Sequence, residues 1–314
     1  MYKGELISVT VALSWTVCAL FCEVATKRLG ALPTNMMRMI LSLLMLSCVM
    51  WWFTGVPYPI GADATTWFWL SLSGLVGYVL GDFCLLNAYA LIGSRHTQLF
   101  TTLAPLAAAL FSWMLIGQKM SALAIVGMFV TLAGIATAIY RSNKSEDEPQ
   151  RITLRGLLLG IGAGLGQGVG LVLSAKGLLH YGDLMASSGI VFRHGATPAL
   201  LLPFAATAIR AVTGLLGFGI WTGVKGEYPQ LLHGIRSWKT MCFVLAATIT
   251  GPFVGVSLSL MATQYTSVGI AQTIMATIPV LIIFPTWLLF HQKVTWNEVV
   301  GAVISVVGVS LFFI

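Results

Sequence analysis

Two stretches of the chain decide how the rest is read: GYVLGDFCLLNAYALIGSRHTQLFTTLAP at residues 77–105 and GPFVGVSLSLMATQYTSVGIAQTIMATIP at residues 251–279. A constant offset of 174 residues aligns them without a gap. Gly77 falls on Gly251, Gly81 on Gly255, Ala88 on Ala262, Gln98 on Gln272 and Pro105 on Pro279. The register continues, with Trp113 on Trp287, Gln118-Lys119 on Gln292-Lys293, Gly127 on Gly301 and Gly134 on Gly308. Chance does not keep such a register, so Gly77–Ile135 and Gly251–Val309 are an internal duplication. Each copy has an apolar run of helix length with a Gln, then a Pro seven residues later. A short break at Gln-Lys follows, then a second apolar run.

Composition places those runs in a membrane. Of 314 residues, 57% are hydrophobic and 9% charged, with a mean hydropathy of +0.90. Soluble domains carry about a quarter charged residues. A chain of this length holds about ten bilayer crossings of ~20 residues. The net charge of +7 is spread over loop positions. There is no basic helix face, which argues against nucleic acid as a partner. Cys18, Cys22, Cys48, Cys84 and Cys242 all lie in apolar runs. They read as small buried residues rather than a disulfide framework. No spacing suggests a metal, and no cofactor is expected. The apolar stretch after Lys3 is too long for a signal-peptide core, so it reads as a retained first span.

The expected spans of the first half are Leu6–Ala25, Thr34–Phe53, Thr66–Leu91, Thr97–Ile116 and Ala122–Tyr140. Those of the second are Gly156–Leu179, Pro203–Thr222, Thr240–Tyr265, Gly269–Phe290 and Glu298–Ile314. The polar run Arg141–Arg155 divides them. The expected fold is all-α and integral to the membrane, with ten transmembrane helices. They form two five-helix repeats, residues 1–141 and 156–314, joined by a linker at 142–155. Asp183–Leu202 is expected as an insertion, interfacial or re-entrant. Five is odd, so the second repeat enters from the opposite side. Inverted repeats of this kind are typical of secondary transporters. Glycines at 156, 160, 164 and 168, and at 162, 166 and 170, make two faces that predict close helix packing.

The repeated motifs resemble the drug/metabolite transporter (DMT) superfamily, in its EamA-type ten-helix branch. The match lies in Asn87-Ala-Tyr-Ala-Leu-Ile-Gly through Pro105 and in Leu115-Ile-Gly-Gln-Lys-Met-Ser through Gly127 and Gly134. It recurs at Met261-Ala-Thr through Pro279 and at Leu289-Phe-His-Gln-Lys-Val-Thr through Gly301 and Gly308. The resemblance covers nearly the whole chain, with 183–202 fitting least. It implies a ten-helix carrier, often an exporter of amino acids or other small metabolites, in a bacterial inner (plasma) membrane. The family usually has an acid where this chain has Gln118 and Gln292. It usually keeps both termini in the cytoplasm. Positive residues, four on the N-terminal side against eleven opposite, put them outside instead.

No Gly-x-x-x-x-Gly-Lys-Ser/Thr run is present, so transport would be passive or ion-coupled. Asp82 lies well inside its span, where a charge costs roughly 2.5–3.5 kcal/mol. It shares a helical face with Tyr78 and Tyr89. It is expected to take up and release a proton; a structural salt bridge with Arg38 is the plainer alternative. Glu23 is a weaker candidate for the coupling and gating set of Asp82, Arg38, Arg210, Lys176, Pro105 and Pro279; it stands four residues before Lys27, and a simple ion pair is the plainer alternative. Arg210 matches Arg38, and Lys176 is an extra cation. Val256 and Ala175 replace the counterparts of Asp82 and Glu23. The half of the cavity on that side is therefore expected to be basic.

Gln98, Thr101, Thr102 and Pro105 form one polar stripe, repeated in part by Gln272, Thr273, Thr277 and Pro279. Each Pro frees a carbonyl, and the amides and hydroxyls offer neutral hydrogen bonds. Interhelical glue, worth about 0.6 kcal/mol per bond, is the alternative to a binding role. Trp15 either lines a cavity or packs. The function expected is secondary transport of a small polar or amphiphilic, amino-acid-like metabolite by alternating access. Its partners are the lipid bilayer, a small-molecule substrate and protons; oligomeric state is left open. A non-transport membrane scaffold with a degenerate carrier fold is the alternative, and an enzyme has no catalytic constellation here.

Overall fold

The computed structural model describes residues 2–116, 122–142, 153–187, 189, 192–266, 271, 274–290 and 295–311. Among these residues the regular structure is all helical. Six helices are long and apolar enough to cross a membrane, and Ile125–Ala138, Ile278–Phe290 and Trp296–Leu311 are shorter apolar helices. In the first half α1 is Lys3–Leu29, α2 Ala31–Thr54 and α3 Ala64–Gly74. A π-helical segment, π1 (Leu75–Asp82), leads into α4 (Phe83–Thr101), α5 (Leu103–Ile116) and α6 (Ala122–Ser142). In the second half α7 is Leu154–Ser187, α8 Pro198–Lys225, α9 Tyr228–Arg236 and α10 Trp238–Thr248. Then come π2 (Ile249–Phe253), α11 (Val254–Tyr265), α12 (Ile278–Leu281), α13 (Ile283–Phe290) and α14 (Trp296–Leu311).

Two glycines with positive φ bend the chain. Gly30, at φ 90° and ψ 166°, turns α1 directly into α2. Gly93, at φ 76° and ψ 163°, breaks α4. That backbone region is essentially closed to residues with a Cβ. The expected start of a span at Thr97 therefore moves back to Ser94. The α4–α5 junction at Thr102 lies just before Pro105, whose ring cannot sit against the carbonyl four residues upstream. The same interruption recurs at Ala276-Thr277, before Pro279.

The region read as an insertion is helical at both of its ends. Asp183–Ser187 completes α7 and Pro198–Leu202 opens α8. Thr197 caps α8, its side chain accepting the Leu200 N–H, and Pro198 suits the first turn. Both helices thus outrun their expected bounds. The short helix α9 was not anticipated.

Small residues bring the helices together, as expected where lipid removes the hydrophobic drive for association. On α7, Gly160 and Gly164 lie against Phe100, and Gly168 against Ala104. The second face meets π1: a Cβ on Gly166 would lie 2.8 Å from the Gly81 Cα, and one on Gly170 2.9 Å from the Gly77 Cα. Ser73 ties the contact, at 2.6 Å from Ser174 Oγ and 2.7 Å from the Gly170 carbonyl.

The duplication is visible as paired contacts. Helices α6 and α14 cross with Gly134 against Gly301 and Ser305, and Gly308 against Gly127 and Thr131. Rising numbers on one helix meet falling numbers on the other, so the two run antiparallel. Thr131 Oγ1 and Ser305 Oγ each reach the other's carbonyl at 3.5 Å. Those residues are 174 apart, so a pseudo-twofold axis passes between them. In the same way α2 packs on α8, α1 on α10 and α11, and α7 on α3 and π1.

Candidate functional site

Both halves contribute to an open cavity, with about 1040 Å³ of empty space including the open solvent at its mouth. Trp15 and Cys18 come from α1, Arg38 from α2, Tyr78 and Asp82 from π1, and Tyr89 and Gln98 from α4. The second half adds Gln167 from α7, Arg210 from α8, Gly251 and Pro252 from π2, and Ser259 from α11. Asp82, Arg38 and Arg210 are each about 95% buried, at 5%, 4% and 5% exposure. Charges held that far from water need partners or a task.

Asp82 has partners. Arg38 Nη1 stands 3.4 Å from Asp82 Oδ2 and donates to Asn35 Oδ1 at 2.9 Å. Gln167 Nε2 donates to Asp82 Oδ1 at 2.7 Å and to the Gly77 carbonyl at 3.3 Å. Asn35 Nδ2 donates to the Asp82 carbonyl at 3.2 Å. A π-helical turn displaces carbonyls from the regular ladder, and π segments recur at functional sites. Here two amide side chains satisfy them. The α2–α7–π1 junction is therefore one polar network with a hydrogen-bond-accepting carboxylate at its centre.

The two halves handle arginine alike. The Arg38 Nη2 lies 3.1 Å from where a Cβ on Gly251 would sit, and the Arg210 Nη2 3.1 Å from one on Gly77. Gly77 and Gly251 are counterparts at the offset of 174, so each half makes room for the other's guanidinium. Each glycine sits in a π segment. The carboxylates are not matched: Val256 stands where Asp82 has its counterpart, and it lines the cavity.

On α4, Gln98 Nε2 donates to the Tyr89 hydroxyl at 2.7 Å, and Thr101 Oγ1 donates to Gln98 Oε1 at 2.8 Å. The other N–H of the Gln98 amide has no partner among the described residues, and Gln98 lines the cavity. Thr101 and Pro105 also line it. Of the residues expected at the site, the cavity thus collects Trp15, Arg38, Tyr78, Asp82, Tyr89, Gln98, Thr101, Pro105 and Arg210.

Other expected residues lie elsewhere. Glu23 is fully buried away from the cavity; Oε1 accepts from Lys27 at 2.6 Å and Oε2 from the Ser94 N–H at 2.7 Å. It stabilises the helix that restarts after Gly93, whose N-terminal dipole favours a negative charge. Lys176 is exposed, with Nζ 4.0 Å from the Trp69 ring centre. Its long stem carries the charge outward from an apolar surface. Thr102 is buried, its hydroxyl on the Leu99 carbonyl at 2.6 Å. Thr277 bonds the Ile274 carbonyl at 2.7 Å, and Pro279 is buried beside the cavity-lining Ile278. Gln272 and Thr273 lie outside the described residues, as do Gln118 and Gln292.

Gln167 and Asn35 escaped the sequence reading. The signal for Gln167 was present. At the offset of 152 that sets Ala175 on Glu23, Gln167 falls on Trp15. Both line the cavity. No group of His, Cys, Asp or Glu among the described residues could hold a metal.

A bundle of apolar helices, with repeated halves enclosing a cavity that holds buried charges, is the architecture of an integral membrane transporter built by duplication. The model of the EamA-like transporter family matches residues 2–140 and again 182–314. The chain belongs to that family, within the drug/metabolite transporter superfamily. A solved structure described only as the crystal structure of a protein shares the fold, with a TM-score of 0.56 at 16% identity. The match covers 99% of this chain and 96% of that one. No curated protein matches significantly.

Proposed function

We propose that the chain is a secondary transporter that moves a small polar or amphiphilic metabolite by alternating access, as an exporter in a bacterial inner membrane. In this reading ten helices form two inverted five-helix repeats, residues 1–141 and 156–314, and Asp82 is the proton-coupling group. The observation that carries the reading is the cavity shared by counterpart elements of both halves. The antiparallel crossing of α6 and α14 supports inversion, because those helices are counterparts. A site between inverted halves can open to either side by rocking one half against the other.

The test is flux. Purified protein in proteoliposomes should take up a metabolite from a mixed panel, faster when the vesicles are preloaded with the same compound and when a pH gradient is imposed. Folded protein that moves no solute above empty vesicles would favour the scaffold alternative.

A further inference from the structure

The cavity holds two arginines and one carboxylate among its described lining residues. Arg38 uses the carboxylate. Arg210 has no salt bridge and no hydrogen bond among the described residues, and its Nε is a buried donor without an acceptor. Its guanidinium lies 4.7 Å over the Tyr78 ring, which is also buried and whose hydroxyl is unpartnered. A guanidinium so buried presents a fork of donors that matches a carboxylate or phosphate.

Taking the cavity as the transport site, we infer that the solute is a monoanion whose carboxylate binds Arg210, supplying the negative charge that Val256 lacks. One uncompensated positive charge calls for one negative charge. Asp82 is engaged by Arg38 and Gln167, so it offers no ready partner for a solute ammonium. Trp15, Leu85, Tyr89 and Met275 add apolar area to the cavity lining. The solute body is therefore apolar or aromatic, and the anion sits at the Arg210 end.

The test uses the full chain in detergent. Benzoate, phenylacetate and hexanoate, each beside its neutral amide, are measured with phenylalanine and inorganic phosphate, by unfolding midpoint and tryptophan fluorescence. Carboxylates should stabilise the protein and amides should not. Arg210→Gln should weaken carboxylate binding at least about tenfold, the loss of a charge-assisted hydrogen bond. Arg210→Lys should keep the preference for anions. Val256→Asp, which leaves Arg210 in place and supplies an internal carboxylate, should abolish it; this variant decides if Arg210→Gln does not fold. Equal binding of amides or phenylalanine, binding of phosphate alone, unchanged binding in Arg210→Gln or Val256→Asp, or no carboxylate binding at all would overturn the inference. Flux of only neutral or cationic solutes in vesicles would overturn it while leaving transport standing. Carboxylate binding without any flux would do the reverse.

Discussion

Asp82→Ala is expected to destabilise the protein by about 3–5 kcal/mol, the cost typical of removing one partner from a buried ion pair. Arg38, 4% exposed, would keep its charge and lose its carboxylate, and Gln167 would lose its acceptor. The double change Asp82→Ala with Arg38→Met should recover much of the loss, since it removes both charges together. Asp82→Asn separates stability from coupling. The amide keeps the shape and one of the two acceptor oxygens, places N–H donors where the other oxygen stood, and cannot exchange a proton. Transport by Asp82→Asn should lose its pH dependence yet retain solute exchange. The reason is that protonation of Asp82 would release Arg38 and so favour one state of a gate over the other. Unfolding of the detergent-solubilised variants and flux across a pH series check both parts. A wild-type pH profile in Asp82→Asn would sink the proton switch, and unaltered stability in Asp82→Ala would show that the pair carries no weight.

The second large effect is steric. Gly170→Val should separate α7 from π1 and cost about 1–3 kcal/mol, because the new Cβ meets the Gly77 backbone, which cannot swing aside. The same contact borders the Arg210 site, so solute binding should weaken with it. Gly219→Ala on α8 is the control. Nothing lies within 4 Å of its Cβ position, and Ala suits a helix better than Gly by roughly 0.5–1 kcal/mol. Unfolding midpoints should fall for the first and hold or rise for the second. Equal behaviour of the two would mean that the glycine contact is dispensable.

Much of this arrangement could be read from the duplication alone. The offset of 174 pairs Thr131 with Ser305 and the break before Pro105 with that before Pro279, and the structure places those residues as counterparts. Asp82 and Arg38 were found as charges in apolar runs, a signal strong because lipid makes it costly. The π segments were not legible. Gly77 and Gly251 served only as alignment markers, and nothing in a helical periodicity reports a carbonyl freed by a wider turn. A break between Leu91 and Thr97 was expected, but not that Gly93 makes it, because a positive φ leaves no mark on hydropathy. Gln167 sits among glycines whose packing role was clear, which hid its reach to Asp82. Glu23 was correctly paired with Lys27, but its second partner, the Ser94 N–H, belongs to a helix start that depends on Gly93.

The claim that everything else depends on is that the cavity between the halves binds the solute. Gln98 tests it most directly, because its amide is braced by Tyr89 and Thr101 and keeps one N–H without a partner among the described residues. The measurement is the dissociation constant of the transported solute for Gln98→Ala beside the wild type, with the yield of folded protein recorded for each. The account predicts about fivefold weaker binding, one hydrogen bond of ~1 kcal/mol, at nearly unchanged yield. Unaltered affinity in a protein whose folded yield has dropped would contradict it, and would make Gln98 glue between helices rather than part of a binding site.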